Sequence, residues 1–371
     1  MLVALLAAAS ALVPFGAARA AYRFSDFQGK PPVHVYKSAQ TAPSGVTPTE
    51  IKKIYNLPAT GGKGTIALID AYDDANMESD LAAFDKQFNL PACTTADGCF
   101  EKHKMASSTA SNSGWAMETS LDVEWAHAIA PGAKILLVEA KTPSGANLMS
   151  AVDYAAARKD VVAVSMSWGG AEFSDELSED SHFVGKASSS IAFFASSGDD
   201  GTGASWPASS PNVIGVGGTS LSLASSGTLI AESAWSGSGG GVSAYEKEPA
   251  YQAAYKISKA NGMRAIPDVS YDADPASGYP IYITTGTGSK AKGAWDTVGG
   301  TSAGAPQWAA IQALGGSTAL AKFYTDKAST STLKYFRDIT SGSNGTCQYY
   351  CDARKRYDYV TGLGSPQTTK F

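Results

Sequence analysis

Charge and histidine are what this sequence has least of. Only 17% of its 371 residues are charged, four are histidine, and the net charge is −5. That balance leaves no basic surface for a polyanion and excludes nucleic acid as a partner. Few carboxylates also means little positive self-repulsion when pH falls, which suits an acidic medium. Beyond residue 20 no apolar run is long enough to span a bilayer. No internal repeat and no charged or Pro/Ser linker divides residues 47–371, so they read as one large domain. The Gly61–Thr65 stretch lacks the spacing of a phosphate loop and precedes a strand pattern, which removes nucleotide binding from consideration.

What is present begins with an apolar stretch over residues 1–20 that closes on Ala-Arg-Ala, the small-x-small form of a secretory cleavage site. Residues 21–46 read as a short N-terminal extension. Four cysteines fall into two close pairs, Cys93 with Cys99 and Cys347 with Cys351. An exported chain would oxidise such neighbours to small loops, with a zinc site beside His103 as the alternative for the first pair. Thirty-eight glycines and 44% hydrophobic residues describe a folded protein with many turns.

From residue 47 onward, short β-rich apolar runs at 64–72, 134–140, 161–167 and 191–196 alternate with helix-period stretches at 77–88, 115–129, 146–158 and 176–188. A further helix follows Ser302. The alternation predicts an α/β fold, a mostly parallel central sheet with helices on both faces in three layers. Sites in such folds lie at the carboxyl ends of strands, where the loops 167–170 and 197–203 should emerge.

Three local patterns carry chemistry. Gly299-Gly300-Thr301-Ser302-Ala303-Gly304 is a turn of small residues leading into an apolar helix, which would leave a serine hydroxyl open at a helix start. An ordinary N-cap is its plainer explanation. A nucleophilic serine needs a base, and none of His34, His103, His127 and His182 sits in a glycine-rich setting open to a substrate. His127, the best of them, lies five residues after Asp122 and points to another helix face. The same helix carries Glu118 and Asp122 at i and i+4, two carboxylates on one face that cannot both ionise easily and should share a proton in acid. The helix is otherwise apolar, which argues against a solvated acidic face. Third, Ser197-Gly198-Asp199-Asp200-Gly201 follows a strand, and a protonated aspartic acid there could donate a hydrogen bond to an oxyanion. A turn or a calcium ligand would use the same residues. Asp70, at the end of the first strand, is the next carboxylate in order of interest.

Together these residues resemble the sedolisin family of serine-carboxyl peptidases, which look like subtilisins with the histidine replaced by glutamate. The resemblance runs through nearly all of 47–371, in TPTEIKKIYNLP, IDAYDD, WAMETSLDVEWAHAIAPGAKILLVEA, SMSWGG, SSGDDGTG, WPASSP with VIGVGGTS, AWSGSGGGVS, GGTSAGAPQWAA and VTGLGSP. It implies Ser302 as nucleophile, Glu118 as general base, Asp122 as its partner and Asp199 as oxyanion donor. Ser167, Trp168 and Gly169 look like the family's edge segment that pairs with substrate backbone. One calcium ion is implied at Asp338, Ile339, Arg356 and Asp358, although Arg354-Lys355-Arg356-Tyr357 stands where the family usually has glycines. The family is usually made with a long folded pro-segment, whereas residues 21–46 are few.

The expectation is therefore a secreted, monomeric, kumamolisin-like endopeptidase. It would act in acid on proteins or peptides and bind no membrane after loss of its leader. A tripeptidyl-peptidase of the same family and a non-catalytic secreted homologue are the alternatives. A glycosidase using Glu118 and Asp122 is disfavoured, because such pairs flank a sugar and seldom share one helical turn.

Overall fold

The computed structural model describes residues 22–369 apart from 108, 109, 187, 189, 287, 316–319 and 326–334. The leader expected at 1–20 lies outside the described residues.

Apolar runs, most of them buried on both sides, form the strands of the main sheet apart from its charged, partly exposed edge strand FEKHK. The strands are β2 (Thr65–Ala71), β3 (Phe100–Lys104), β4 (Lys134–Ala140), β5 (Val161–Met166), β6 (Ala192–Ser196) and β7 (Ile214–Leu223), preceded in the chain by an outer strand, β1 (His34–Gln40). After them come β8 (Leu229–Ala234), β9 (Val269–Asp272), β10 (Tyr279–Thr285) and β11 (Lys292–Gly299). The main sheet has the order β8-β7-β6-β5-β2-β4-β3, with β9 also on β7. Every pairing in it is parallel except β8 with β7. Strand β2 shows why both faces are covered. Ile66 and Leu68 enter the core on one side, while Ala67, Ile69 and Ala71 enter the core on the other.

The helices α1 (Pro48–Ile54), α2 (Met77–Phe88), α3 (Ser113–Ile129) and α5 (Gly304–Ala313) pack on the first side, and α4 (Gly145–Ala156) on the second. Local sequence sets their starts. Thr47 and Glu50 form a capping box on α1 with Pro48 in its first turn, and the Asn112 side chain accepts the Gly114 and Trp115 amides of α3. Helix α3 is buried on nearly all sides from Trp115 to Ile129, as its apolar sequence requires.

The helix expected at 176–188 does not form. Its place is taken by two 3-10 turns, Glu176–Ser178 and Asp180–His182, with residues 187 and 189 outside the described set. Side chains there compete for backbone groups: the Glu176 carboxylate accepts the Phe173 amide and the Ser178 hydroxyl donates to the Asp175 carbonyl. Both cysteine pairs are disulfides, Cys93–Cys99 and Cys347–Cys351. His103 stacks on Tyr154 instead of approaching the first pair as a ligand.

A second, antiparallel sheet, β1-β11-β10, delivers the serine. Strand β11 runs straight into Gly299 and Gly300, and a 3-10 turn over Thr301–Ala303 then starts α5.

Candidate active site

Ser302 sits at the junction of that turn with α5, fully buried, its hydroxyl 3.4 Å from the Ser167 carbonyl oxygen. Gly300 makes the turn possible. Its φ is +129°, and a β-carbon there would collide with the Pro32 carbonyl and lie 2.5 Å from Asp199 Oδ2.

Helix α3 crosses beneath the serine and brings Glu118 and Asp122 to it, both wholly inaccessible. Glu118 has Ser302 and Asp122 as immediate electrostatic neighbours, and neither of its oxygens accepts a hydrogen bond from a donor among the described residues. Burial first, then the neighbouring Asp122 and Asp70, hold the Glu118 carboxyl well above its ordinary range. Burial likewise raises Asp122, opposed by the Ser167 hydroxyl, which donates to Asp122 Oδ1 at 2.7 Å. Both shifts act in the same direction, so the couple keeps protons to higher pH than ordinary carboxyl groups do.

Asp70 closes this group from the end of β2. It is fully buried, neither oxygen has a partner among the described residues, and burial with Asp122 beside it raises its carboxyl strongly. It is thus an immediate neighbour of the couple, placed there because β2 ends under α3.

Asp199 lies across the serine turn, near the start of the loop after β6. Its Oδ1 accepts both the amide and the hydroxyl of Thr301, at 2.8 and 2.7 Å. Burial outweighs these bonds and raises the carboxyl. Asp200 carries no such contacts and is exposed.

Two features of the site escaped the sequence. The Ser167 side chain points inward to the carboxyl couple, so only the backbone of this segment faces the cleft. And His34, from the N-terminal extension, places Nε2 3.0 Å from Asp199 Oδ2. No local pattern marks either: His34 stands among prolines and valines and arrives through the β1–β11 pairing. His127 is buried against the Pro91 carbonyl and Asp85, away from the serine.

Residues 27–34 lie along the cleft whose walls include Gly169, Asp199 and Gly239. Lys30 exchanges two backbone hydrogen bonds with Gly169, at 3.0 and 3.1 Å. Gly29 donates to the Pro143 carbonyl, and Gly145 donates to the Phe27 carbonyl. The extension is thus the middle strand of a short antiparallel ribbon ending beside Ser302.

The fold and this arrangement define a subtilisin-like α/β protein, and the sequence pattern of the Subtilase family matches residues 104–335. The chain belongs to that family. Within it, the chain is similar to the serine-carboxyl peptidases: to sedolisin of Pseudomonas sp. (strain 101), 28% identical over 88% of this chain, and to kumamolisin of Bacillus sp. (strain MN-32), 30% identical over 89%. It spans 60% and 63% of the length of those two relatives. The solved structure of Pseudomonas sedolisin, a serine-carboxyl proteinase complexed with two molecules of pseudo-iodotyrostatin, matches with a TM-score of 0.73 at 27% identity. That match covers 89% of this chain and 96% of the sedolisin chain.

Proposed function

We propose that this chain is a serine-carboxyl endopeptidase that hydrolyses peptide bonds of proteins in acid. The observation that carries this is a buried serine at a helix start beside two buried carboxyl groups whose ionisation burial suppresses, with no imidazole among the described residues in the position of a base. In the proposed reaction Ser302 Oγ attacks the substrate carbonyl carbon and its proton passes to Glu118, oriented by Asp122. Asp199, neutral, donates to the resulting oxyanion. Collapse breaks the C–N bond, Glu118 returns the proton to the leaving amine, and water then releases the acyl group from Ser302 by the same steps reversed. Cleavage of internal bonds is favoured over removal of tripeptides, because the extension passes along the cleft and continues into β1 beyond Ser302.

Activity should be bell-shaped in acid. Loss of the shared proton and of the Asp199 proton ends it as pH rises, and a second proton on the couple ends it at the lowest pH. A digest of a denatured protein from about pH 2 to about pH 8, read by mass spectrometry, tests this. Ser302→Ala should reduce the rate by roughly 10⁶-fold. Cleavage by that variant at the native rate would refute the assignment.

Export is supported by the leader-like residues 1–20 and by the two disulfides, which persist in oxidising compartments. A calcium ion is proposed at Asp338, the Ile339 and Arg356 carbonyls, and Asp358. The Asp338 side of this set fits one, whereas both Asp358 oxygens already accept hydrogen bonds from Arg354, Val360 and Thr361. Asp338 Oδ1 is buried with no partner among the described residues, and Arg354 and Arg356 donate backbone N–H bonds to Asp358 and Asp338 and so hold the carboxylates on one loop. Arg356 keeps a left-handed φ of +66°, the backbone a glycine would favour. The ion would tie this loop to the body and supply no chemistry at Ser302. Chelation should lower the melting temperature of the native chain and leave that of Asp338→Asn unchanged; equal responses would remove the site.

A further inference from the structure

The extension is seated by more than backbone pairing. Phe27 is fully buried in a pocket of aromatic rings, 4.8 Å from Trp206, 5.7 Å from Phe173 and 6.4 Å from Trp168 between centroids. A β-carbon on Gly170 would lie 2.9 Å from the Phe27 ring, so the pocket wall is closed to anything but glycine there. Burial alternates along the segment: Phe27 and Gly29 are buried, Gln28 and Lys30 exposed, as in a strand with one face against the protein.

The register identifies what this strand imitates. Lys30 and Gly169 form a pair that exchanges both N–H···O bonds, so residue 32 falls opposite Ser167, two positions further on each strand. Ser167 is also the residue whose carbonyl lies 3.4 Å from the Ser302 hydroxyl. The segment thus runs towards the nucleophile as a substrate chain would, and Pro32 stands at the residue beside it. Proline has no N–H to give the Ser167 carbonyl, so the ladder stops there. Beyond it, His34 Nε2 sits 3.0 Å from Asp199 Oδ2, an oxygen that is buried.

We propose that Trp168, Phe173 and Trp206 form a binding subsite for an aromatic side chain of the substrate, five residues upstream of the residue facing Ser302, and that residues 27–34 are its resident competitor. The inference rests on the proposed peptidase reading for the word substrate, whereas the subsite itself is a matter of binding. A peptide with an ordinary residue opposite Ser167 can make the hydrogen bond that Pro32 cannot, and so displaces the segment. Substrates with Phe, Tyr or Trp at the upstream position should do so best.

The test uses the full chain carrying Ser302→Ala, so that binding is read without cleavage. A fluorescent peptide with an aromatic residue followed by five small or polar ones is titrated in, alongside its analogue with alanine in place of the aromatic residue. In a chain that also carries Phe27→Ala and Lys30→Pro, the aromatic probe should bind at least tenfold more tightly than to the chain with its native segment, and at least tenfold more tightly than the alanine probe. Lys30→Pro alone, at an exposed side chain, should show the same order with a smaller gain and guards against misfolding of the Phe27 variant. Equal binding of the two probes, or no gain on loosening the segment in folded protein, overturns the proposal. A chain that binds the aromatic probe yet cuts nothing with Ser302 intact would overturn the peptidase reading and leave the subsite standing.

Discussion

Asp199 shows how a single residue can be read from sequence in identity and not in state. The glycine loop after a strand marks a candidate donor to an oxyanion, with Asp200 as its rival until the family resemblance separates them. The structure explains the difference: the Asp199 side chain is only 4% exposed and bound to Thr301 through both amide and hydroxyl, and Asp200 is exposed. Burial raises the Asp199 carboxyl in spite of those bonds and of His34. The group is therefore protonated, and able to donate, further up the pH scale than an ordinary aspartate. Asp199→Ala should lower kcat by roughly 10²- to 10³-fold with little change in KM, as expected for a donor used only in the transition state. Asp199→Asn, a permanent donor, should retain more activity than alanine and lose it less steeply as pH rises. Equal kcat in all three proteins would remove the role.

At the scale of elements, those with a strong period or a strong cap are the ones the sequence specifies. Strands β2, β4, β5 and β6 and helix α2 fall where their apolar patterns place them, and α3 begins where Asn112 can cap it. The i, i+4 spacing of Glu118 and Asp122 is legible for the same reason, since it follows from helix geometry alone. The segment 176–188 fails because its serines and acids bond locally to the backbone and three like charges lie within its first five residues, effects that a periodicity test does not weigh. Strand β1 escapes for another reason. All but one of its residues are exposed, so no buried face writes a pattern into the sequence, and its partner β11 lies more than 250 residues away.

Across the whole molecule, buried carboxyl groups recur outside the site. Burial raises Asp80 to about 6, and Asp85, Glu139 and Glu246 to about 7. A carboxyl raised in the fold binds its proton more tightly there than in the unfolded chain. Its contribution to stability is thus full below the ordinary carboxylate range and is lost as pH climbs through the raised value. Asp160, lowered to about 2 by Arg158, works in the opposite sense and weakens the fold only in stronger acid. Calorimetry in the presence of calcium should show the melting temperature highest near pH 4 and falling steadily towards pH 8; a rise over that interval would contradict the sign of these shifts. The low charge content noted in the sequence points the same way, because few carboxylates are left to neutralise.

The sequence by itself determined the alternating layers, the helix that pairs two carboxylates, and the turn that presents Ser302, because each depends on spacing within a few residues. Only the tertiary structure decided that Asp70 and Ser167 join the couple, that His34 reaches Asp199, and that Phe27 fills the aromatic pocket. These contacts join residues 45 to 179 positions apart. Long-range strand pairing sets them, and no local pattern encodes which strands will meet.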